Sequence, residues 1–302
     1  MSIIFPPSLR PGDAVAIVSP ASAVNPDYIN GAATHLRQWG FRPVIAPHAD
    51  GTEGSYSAST DNRLADLKAA LLNPEVRAVL CSRGGYGCVH LLPELATLPL
   101  EADPKWLIGF SDVSALHALM QSKRIASIHG SMAKALALHD DDFEPNRRLR
   151  AILSGGGIDP LEWAGSEYNR PGVARGRLVG GNLAVLQALI STPYDLLGLS
   201  DTILFIEDIA EPIYKVERII YQLRLSGALN RVAGLIIGQF TDYRPDRNFA
   251  SMEQMLDNAL VGVECPVSFG APIGHIDNNM PVVEGLQCTL EVSPARSRLI
   301  PS

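Results

Sequence analysis

The chain is poor in the residues that build cross-links and metal cages. Its 302 residues hold four cysteines, Cys81, Cys88, Cys265 and Cys288. They form no C-x-x-C pair and no metal-ligand spacing, which excludes a disulfide scaffold and the common zinc modules. Each lies in or beside an apolar run, where a free thiol packs as a small hydrophobe, a usage that suits a reducing compartment. The seven histidines include no H-x-x-H or H-E-x-x-H spacing, so no metal is expected. An excess of positive charge is missing too: 25 Lys and Arg face 32 Asp and Glu, a net charge of −7. The basic residues are scattered, with no aromatic-basic stripe, so nucleic acid is not an expected partner. The stretch Met1 to Pro11 lacks a basic start, a sustained apolar core and a small-residue cleavage site. No run is long and apolar enough to cross a bilayer, so the expected address is cytoplasmic, with no membrane partner. The dinucleotide fingerprint is also absent: Gly85-x-Gly87 continues as Cys88-Val89-His90, and no phosphate-loop lysine follows. That disfavours a nicotinamide-dependent oxidoreductase.

What is present is a patterned globular chain, 46% hydrophobic and 19% charged, long enough for two domains. Ala14–Val18, Pro43–Ala46, Val76–Cys81 and Trp106–Gly109 are apolar runs of strand length. Helical patterns stand between them, at Pro26–Trp39 and at Thr60–Leu72 with Thr60 as cap and Asn73-Pro74 as stop. Strands that alternate with helices and are themselves continuously apolar imply an α/β fold, its parallel sheet covered on both faces. Ligands gather outside the carboxyl ends of such strands, where Ser19, Arg83–Gly87 and Ser111 all fall. The pattern weakens after Asp140, apart from a polar helix at Glu144–Leu153. We therefore expect a first domain over 1–155, a linker over 156–172 and a second domain over 173–302. The second half carries strands near 173–182, 202–206, 232–239 and 266–270, helices between them, and an edge strand at Gln287–Val292.

Three residue types at loop positions carry possible chemistry. Ser111 sits between the strand Trp106–Gly109 and a helical pattern through Val113, Leu116, Leu119 and Met120. A serine there is either a helix cap or a nucleophile lifted clear of the sheet; read alone, the stretch favours the cap. The surrounding Gly-Phe-Ser-Asp-Val is not the G-x-S-x-G elbow of α/β-hydrolases. Glu207 ends a strongly apolar strand, where a carboxylate needs a partner. Two histidines, His129 and His275, follow apolar runs in expected loops, whereas His35 and His139 fall on expected helix surfaces. In the order Ser111, Glu207, His275 these residues would compose a serine–acid–histidine triad, in which the base activates the hydroxyl and the acid fixes the imidazole tautomer. The loop Arg83-Gly84-Gly85-Tyr86-Gly87 is either a tight turn or a donor of backbone amides beside a reacting oxygen.

Taken together, several stretches resemble the LD-carboxypeptidase family, serine peptidases that include murein tetrapeptide carboxypeptidases and the microcin-immunity peptidases. They are Leu9-Arg-Pro-Gly-Asp-Ala-Val15, Ser82-Arg-Gly-Gly-Tyr-Gly87, Gly109-Phe-Ser-Asp112, Gly180-Gly-Asn-Leu183, Leu204-Phe-Ile-Glu-Asp208 and Gly274-His275. The resemblance implies Ser111 as nucleophile, His275 as general base and Glu207 as its orienting acid, with the amides of Asp112 and Gly85 as oxyanion hole. It implies an N-terminal Rossmann-like domain, a smaller C-terminal α/β domain of swivelling β/β/α type, and a site at their interface. It also implies a homodimer that needs neither metal nor cofactor. The implied reaction releases the terminal D-alanine of a murein tetrapeptide during cytoplasmic recycling of cell-wall peptides. The immunity branch cleaves a peptidyl-nucleotide and carries a longer aromatic-bearing loop between the domains; here that segment, with Trp163 and Tyr168, is short. A rival of another class is a non-catalytic protein that binds a cell-wall peptide. One departure from the pattern is Ser131, which follows His129-Gly130 where a proline is expected. Arg83 is a candidate for pairing with the substrate's terminal carboxylate, which a guanidinium binds bidentately.

Overall fold

The structure, a computed structural model, describes residues 2–302. In chain order the elements are β1 (Ala14–Val18), α1 (Pro26–Gln38), β2 (Arg42–Ile45), α2 (Thr60–Leu72), β3 (Val76–Cys81), α3 (Leu92–Ala96), β4 (Trp106–Gly109), α4 (Ser114–Ser122), β5 (Ser127–His129), α5 (Ala133–Leu138) and α6 (Glu144–Leu153). There follow β6 (Leu161–Ala164), β7 (Gly172–Asn182), α7 (Leu183–Gln187), β8 (Thr202–Ile209), α8 (Ile213–Leu225), β9 (Gly234–Thr241), α9 (Met252–Ala259), β10 (Val267–Ser268), β11 (Val282–Glu284), β12 (Gln287–Val292) and β13 (Arg296–Pro301). The chain divides into two compact units. One runs up to Ile158 and takes in Met280–Val283; the other comprises Asp159–Asn279 and Glu284–Ser302.

The first unit is built on a six-stranded sheet in the order β11-β5-β4-β3-β1-β2. The pairs β1–β2, β1–β3, β3–β4 and β4–β5 are parallel, as the continuous apolar runs require. Val15 and Ile17 of β1 and Ala78 and Val79 of β3 are fully buried, so both faces of the sheet are covered. The strand order reverses between β1 and β3, and their carboxyl ends therefore form the crevice where doubly wound sheets bind ligands. There the hydroxyls of Ser19 and Ser82 lie 2.5 Å apart, and Ser19 Oγ also donates to the Ala49 carbonyl at 2.5 Å.

The second unit carries a seven-stranded mixed sheet, β10-β9-β8-β7-β12-β13-β6. Its strands β10, β9, β8 and β7 are parallel, and β12, β13 and β6 continue antiparallel. The buried run Ile203–Ile206 forms the heart of β8.

Several expectations need correction. The tail strand β12 is interior, paired with β7 on one side and β13 on the other. The edges are β10 and β6, and β6 lies within the segment 156–172 that reads as linker in the sequence. Short strands such as β5, β6 and β13 carry too few residues for a period to emerge. The cap of α2 is Ser59, whose hydroxyl accepts from the Asn62 N–H at 3.3 Å; Thr60 lies inside the helix and accepts from Arg63. His35 is buried rather than on a helix surface, and His129 lies in β5, fully buried, rather than in a loop. Among the described residues, no helix is long and apolar enough to cross a membrane.

Candidate active site

Ser111 stands two residues beyond β4, at the start of a 3-10 turn (Ser111–Val113) that feeds α4. Its φ is +64°, a left-handed conformation that costs a non-glycine residue of order 1–3 kcal/mol and persists only where the surroundings over-determine it. The neighbouring loops supply that determination. The N-cap positions of this turn and of α4 are Phe110 and Val113, and neither makes a side-chain cap hydrogen bond. Asp112 is buried, and its carboxylate accepts the Cys88 N–H at 2.8 Å. This ties the residue after Ser111 to the end of the glycine loop.

Within that loop the glycine pressed against Ser111 is Gly84. A Cβ on it would stand 2.8 Å from Ser111 Cβ, 3.0 Å from its Oγ and 3.1 Å from the Asp112 nitrogen, so only glycine fits. The Gly84 carbonyl accepts the Ser22 N–H at 3.1 Å. The peptide is trans, so the Gly85 N–H points the opposite way, away from the Ser22 backbone. Ser22 Oγ in turn accepts the Tyr86 N–H at 3.2 Å. The loop is thereby hung on the segment after β1 at two points. It is also held from below by the buried Arg63, whose guanidinium donates to the carbonyls of Ala58, Pro20 and Gly87. Arg83 is exposed and donates to the Ala23 carbonyl at 2.7 Å. The thiols of Cys81 and Cys88 are pushed up by burial and by the nearby Asp112 charge, which keeps them protonated and inert.

In the second unit Glu207 lies near the end of β8, which runs on to Ile209. The β8–β9 register shifts between Ile206 and Asp208, and an irregularity of that kind re-aims a side chain. Glu207 is fully buried and accepts, through Oε2, a 2.6 Å hydrogen bond from Nδ1 of His275. Burial works against a charged imidazole, but the Glu207 hydrogen bond and charge, with the charges of Asp208 and Asp242, outweigh it and hold the His275 pKa above its ordinary value. Because the carboxylate accepts, Nδ1 carries the proton, and a neutral ring then has its lone pair on Nε2.

The loop bearing His275 depends on Gly274, whose φ is +130° and whose Cβ, if present, would lie 2.9 Å from Glu207 Cβ and 3.0 Å from its Oε2. The Gly274 N–H donates to Oδ1 of the buried Asn279 at 2.9 Å. Asp208, next to Glu207, performs another task. It accepts from Asn182 Nδ2 at 2.8 Å and from the Ala184 N–H at 2.9 Å, anchoring the first turn of α7. Burial, then the Glu207 charge, push its carboxyl up to about 6.

The triad expected from the sequence thus falls into two constructions, a strained serine against Gly84 and Asp112 in the first unit and a bonded Glu207–His275 pair in the second. His129 stands apart from this chemistry in β5. Asp208, which reads in the sequence as a surface loop charge, is instead buried, the sequence singles out no one glycine of the Gly84 loop, and Asn279 is not singled out at all. A glycine run does not say which member meets a neighbour, and a single Asn in a polar loop carries no pattern.

Two family descriptions match the chain: LD-carboxypeptidase N-terminal domain over residues 15–130 and LD-carboxypeptidase C-terminal domain over residues 175–290. The murein tetrapeptide carboxypeptidase of Pseudomonas aeruginosa is 32% identical over 287 residues, covering 92% of this chain and 92% of its own. The crystal structure of muramoyltetrapeptide carboxypeptidase from Oxalobacter formigenes superposes with a TM-score of 0.86 at 25% identity, covering 96% of this chain and 98% of that one. The microcin C7 self-immunity protein shares the fold, with a TM-score of 0.85 at 20% identity and coverage of 98% on both sides. The chain belongs to the LD-carboxypeptidase family and is a serine-type hydrolase of that family.

Proposed function

We propose that this enzyme releases the terminal D-alanine of a murein tetrapeptide by cutting the bond from the L-configured centre of the diamino acid. The observation that carries the mechanism is the 2.6 Å hydrogen bond from His275 to the fully buried Glu207, which orients a base whose lone pair lies on Nε2. The Ser111 hydroxyl attacks the scissile carbonyl and His275 takes its proton. The N–H groups of Asp112 and Gly85 hold the oxyanion. His275 returns the proton to the departing D-alanine amine, and water then hydrolyses the acyl-enzyme by the same route. Arg83 binds the terminal carboxylate of the substrate. Support for the substrate comes from the two relatives named for murein or muramoyl tetrapeptides. The same reading makes the enzyme a cytoplasmic homodimer that takes part in recycling cell-wall peptides.

The test is incubation with murein tetrapeptide, following free D-alanine, for wild type and for Ser111→Ala, Glu207→Ala and His275→Ala. Release by wild type and its loss in all three variants is the expected result. Undiminished release by Ser111→Ala overturns the mechanism. A wild type idle on tetrapeptide but active on a peptidyl-adenylate analogue moves the substrate to the immunity type. Tetrapeptide that binds without turnover by wild type overturns catalysis altogether. Light scattering on the purified protein reads the oligomeric state.

A further inference from the structure

The first unit contains a buried polar group that the mechanism does not use. His117 in α4 is fully buried, and burying an imidazole costs free energy unless its nitrogens are bonded. Here both are. Nε2 lies 2.9 Å from the Gly109 carbonyl and Nδ1 lies 2.9 Å from Ser127 Oγ. A carbonyl can only accept, so Nε2 carries the proton, Nδ1 is the acceptor, and the Ser127 hydroxyl donates to it. Burial, only partly opposed by the Gly109 hydrogen bond, pulls the His117 pKa down to about 4. The ring is neutral at working pH and its tautomer is single.

Both bonds go to the frame that carries the nucleophile. Gly109 ends β4 two residues before Ser111, and Ser127 opens β5 beside it. The Gly109 carbonyl receives a second donor, the Gly130 N–H at 3.0 Å, so both of its lone pairs are engaged, one by a helix and one by the exit from a strand. With that carbonyl fixed, the chain runs extended through Phe110 (φ −155°, ψ −170°) and turns into the left-handed conformation at Ser111. Downstream, the Asp112 carboxylate is held by the Cys88 N–H. The strained serine is therefore pinned on both sides, by a histidine before it and by a carboxylate after it.

We propose that His117 is a positioning residue for Ser111: its bond to the Gly109 carbonyl fixes the strand end from which the nucleophile turn departs, and Ser127 fixes the tautomer that makes this bond. The proposal rests on Ser111 being the nucleophile, as argued above. A misplacement of about 1 Å at a reacting atom costs on the order of 10²-fold in rate, so the effect belongs to the acylation step and not to substrate affinity.

The experiment measures the rate at which an alkyl fluorophosphonate labels Ser111, located by peptide mass mapping, in wild type, His117→Leu and His117→Gln, beside kcat, KM and thermal melts. His117→Leu removes the donor and is expected to slow labelling and kcat by about 10- to 100-fold with KM within about twofold. In His117→Gln the side-chain amide reaches the same carbonyl, and rates return to within about threefold of wild type. Labelling of His117→Leu at the wild-type rate overturns the proposal, as does a His117→Gln as slow as His117→Leu. Wild type that takes no label at Ser111 while releasing D-alanine overturns the nucleophile itself, which is a different failure. Should His117→Leu not fold, Ser127→Ala carries the test, with labelling slowed about three- to tenfold supporting the proposal and unchanged labelling overturning it.

Discussion

Around Ser111 the first unit relies on backbone: a residue at φ +64°, a glycine pressed on its side chain, and main-chain groups bonded to Asp112, Ser22 and His117. Around His275 the second unit relies on charge, with a buried carboxylate bonded to an imidazole and two further acids nearby. A nucleophile has to stand at one point in space, and a stiff, sterically crowded turn secures that. A base has to hold a proton at one moment and release it at another, and an ion pair in a buried setting secures that. The contrast teaches that the two halves should fail differently: the first by displacement, the second by titration.

The largest effect tests the first half directly. Ser111→Ala should lower D-alanine release by roughly 10⁴- to 10⁶-fold and leave the melting temperature within a few degrees, since alanine inherits the same backbone; release assays and calorimetry read both.

Glu207→Gln breaks the second half without changing its volume. It should cut kcat by about 10³- to 10⁴-fold and remove the partner that holds the His275 pKa up. With His275 as the proposed base, wild-type kcat/KM should rise with pH as the ring loses its proton, with a midpoint above the ordinary histidine value. In Glu207→Gln that midpoint should move to lower pH, followed by pH–rate profiles or by NMR titration of the ring. An unmoved midpoint would break the contrast.

Gly84→Ala is the corresponding displacement. Its methyl would meet Ser111 and the Asp112 nitrogen at 2.8–3.1 Å, so acylation should slow by about 100-fold at a stability cost of about 1–3 kcal/mol. Chemical denaturation and fluorophosphonate labelling separate the two numbers.

A smaller effect separates the two halves by sign. His275 has a folded pKa above its unfolded value, so its contribution to stability is full below the unfolded pKa and is lost as pH rises through the folded one. His117 has a folded pKa of about 4, below its unfolded value, so its contribution is full above about 6.5 and is lost as pH falls toward 4. Denaturation of His275→Gln against wild type should show a difference that shrinks on raising the pH from 6 to 9. The same comparison for His117→Gln should show one that shrinks on lowering it from 6.5 to 4.

Much of the first unit was legible. The bounds of β1, α2, β3, β4 and α6 coincide with the apolar runs and helical patterns of the sequence, because each is flanked by a stop such as Asn73-Pro74 or a glycine. What escaped has physical reasons. β5, β11 and β13 take their stability from the neighbours they pair with, and three to six residues hold no period of their own. His35 was misplaced because its burial comes from packing across the chain and not from its own helix pattern. The candidate site was legible only in part: Glu207 and His275 lie 68 residues apart, and no local rule joins them. Family resemblance named the pair; the β8–β9 irregularity and Gly274 explain how it meets. The glycine loop is visible in the sequence as a cluster, yet only the fold distinguishes Gly84, which touches Ser111, from Gly85, whose N–H is turned away from Ser22 by the Ser22–Gly84 bond.

The assignment of Met280–Val283 to the first unit has a consequence for how this enzyme can be cut and recombined. A gene fragment ending after Ile158 would encode a sheet deprived of β11, leaving β5 as a bare edge, and an unprotected edge strand invites pairing with other chains. The units are therefore not interchangeable cassettes. A donor of the second half must also bring the four residues that finish the first, and expression of the first half alone should yield aggregate unless those residues are grafted back.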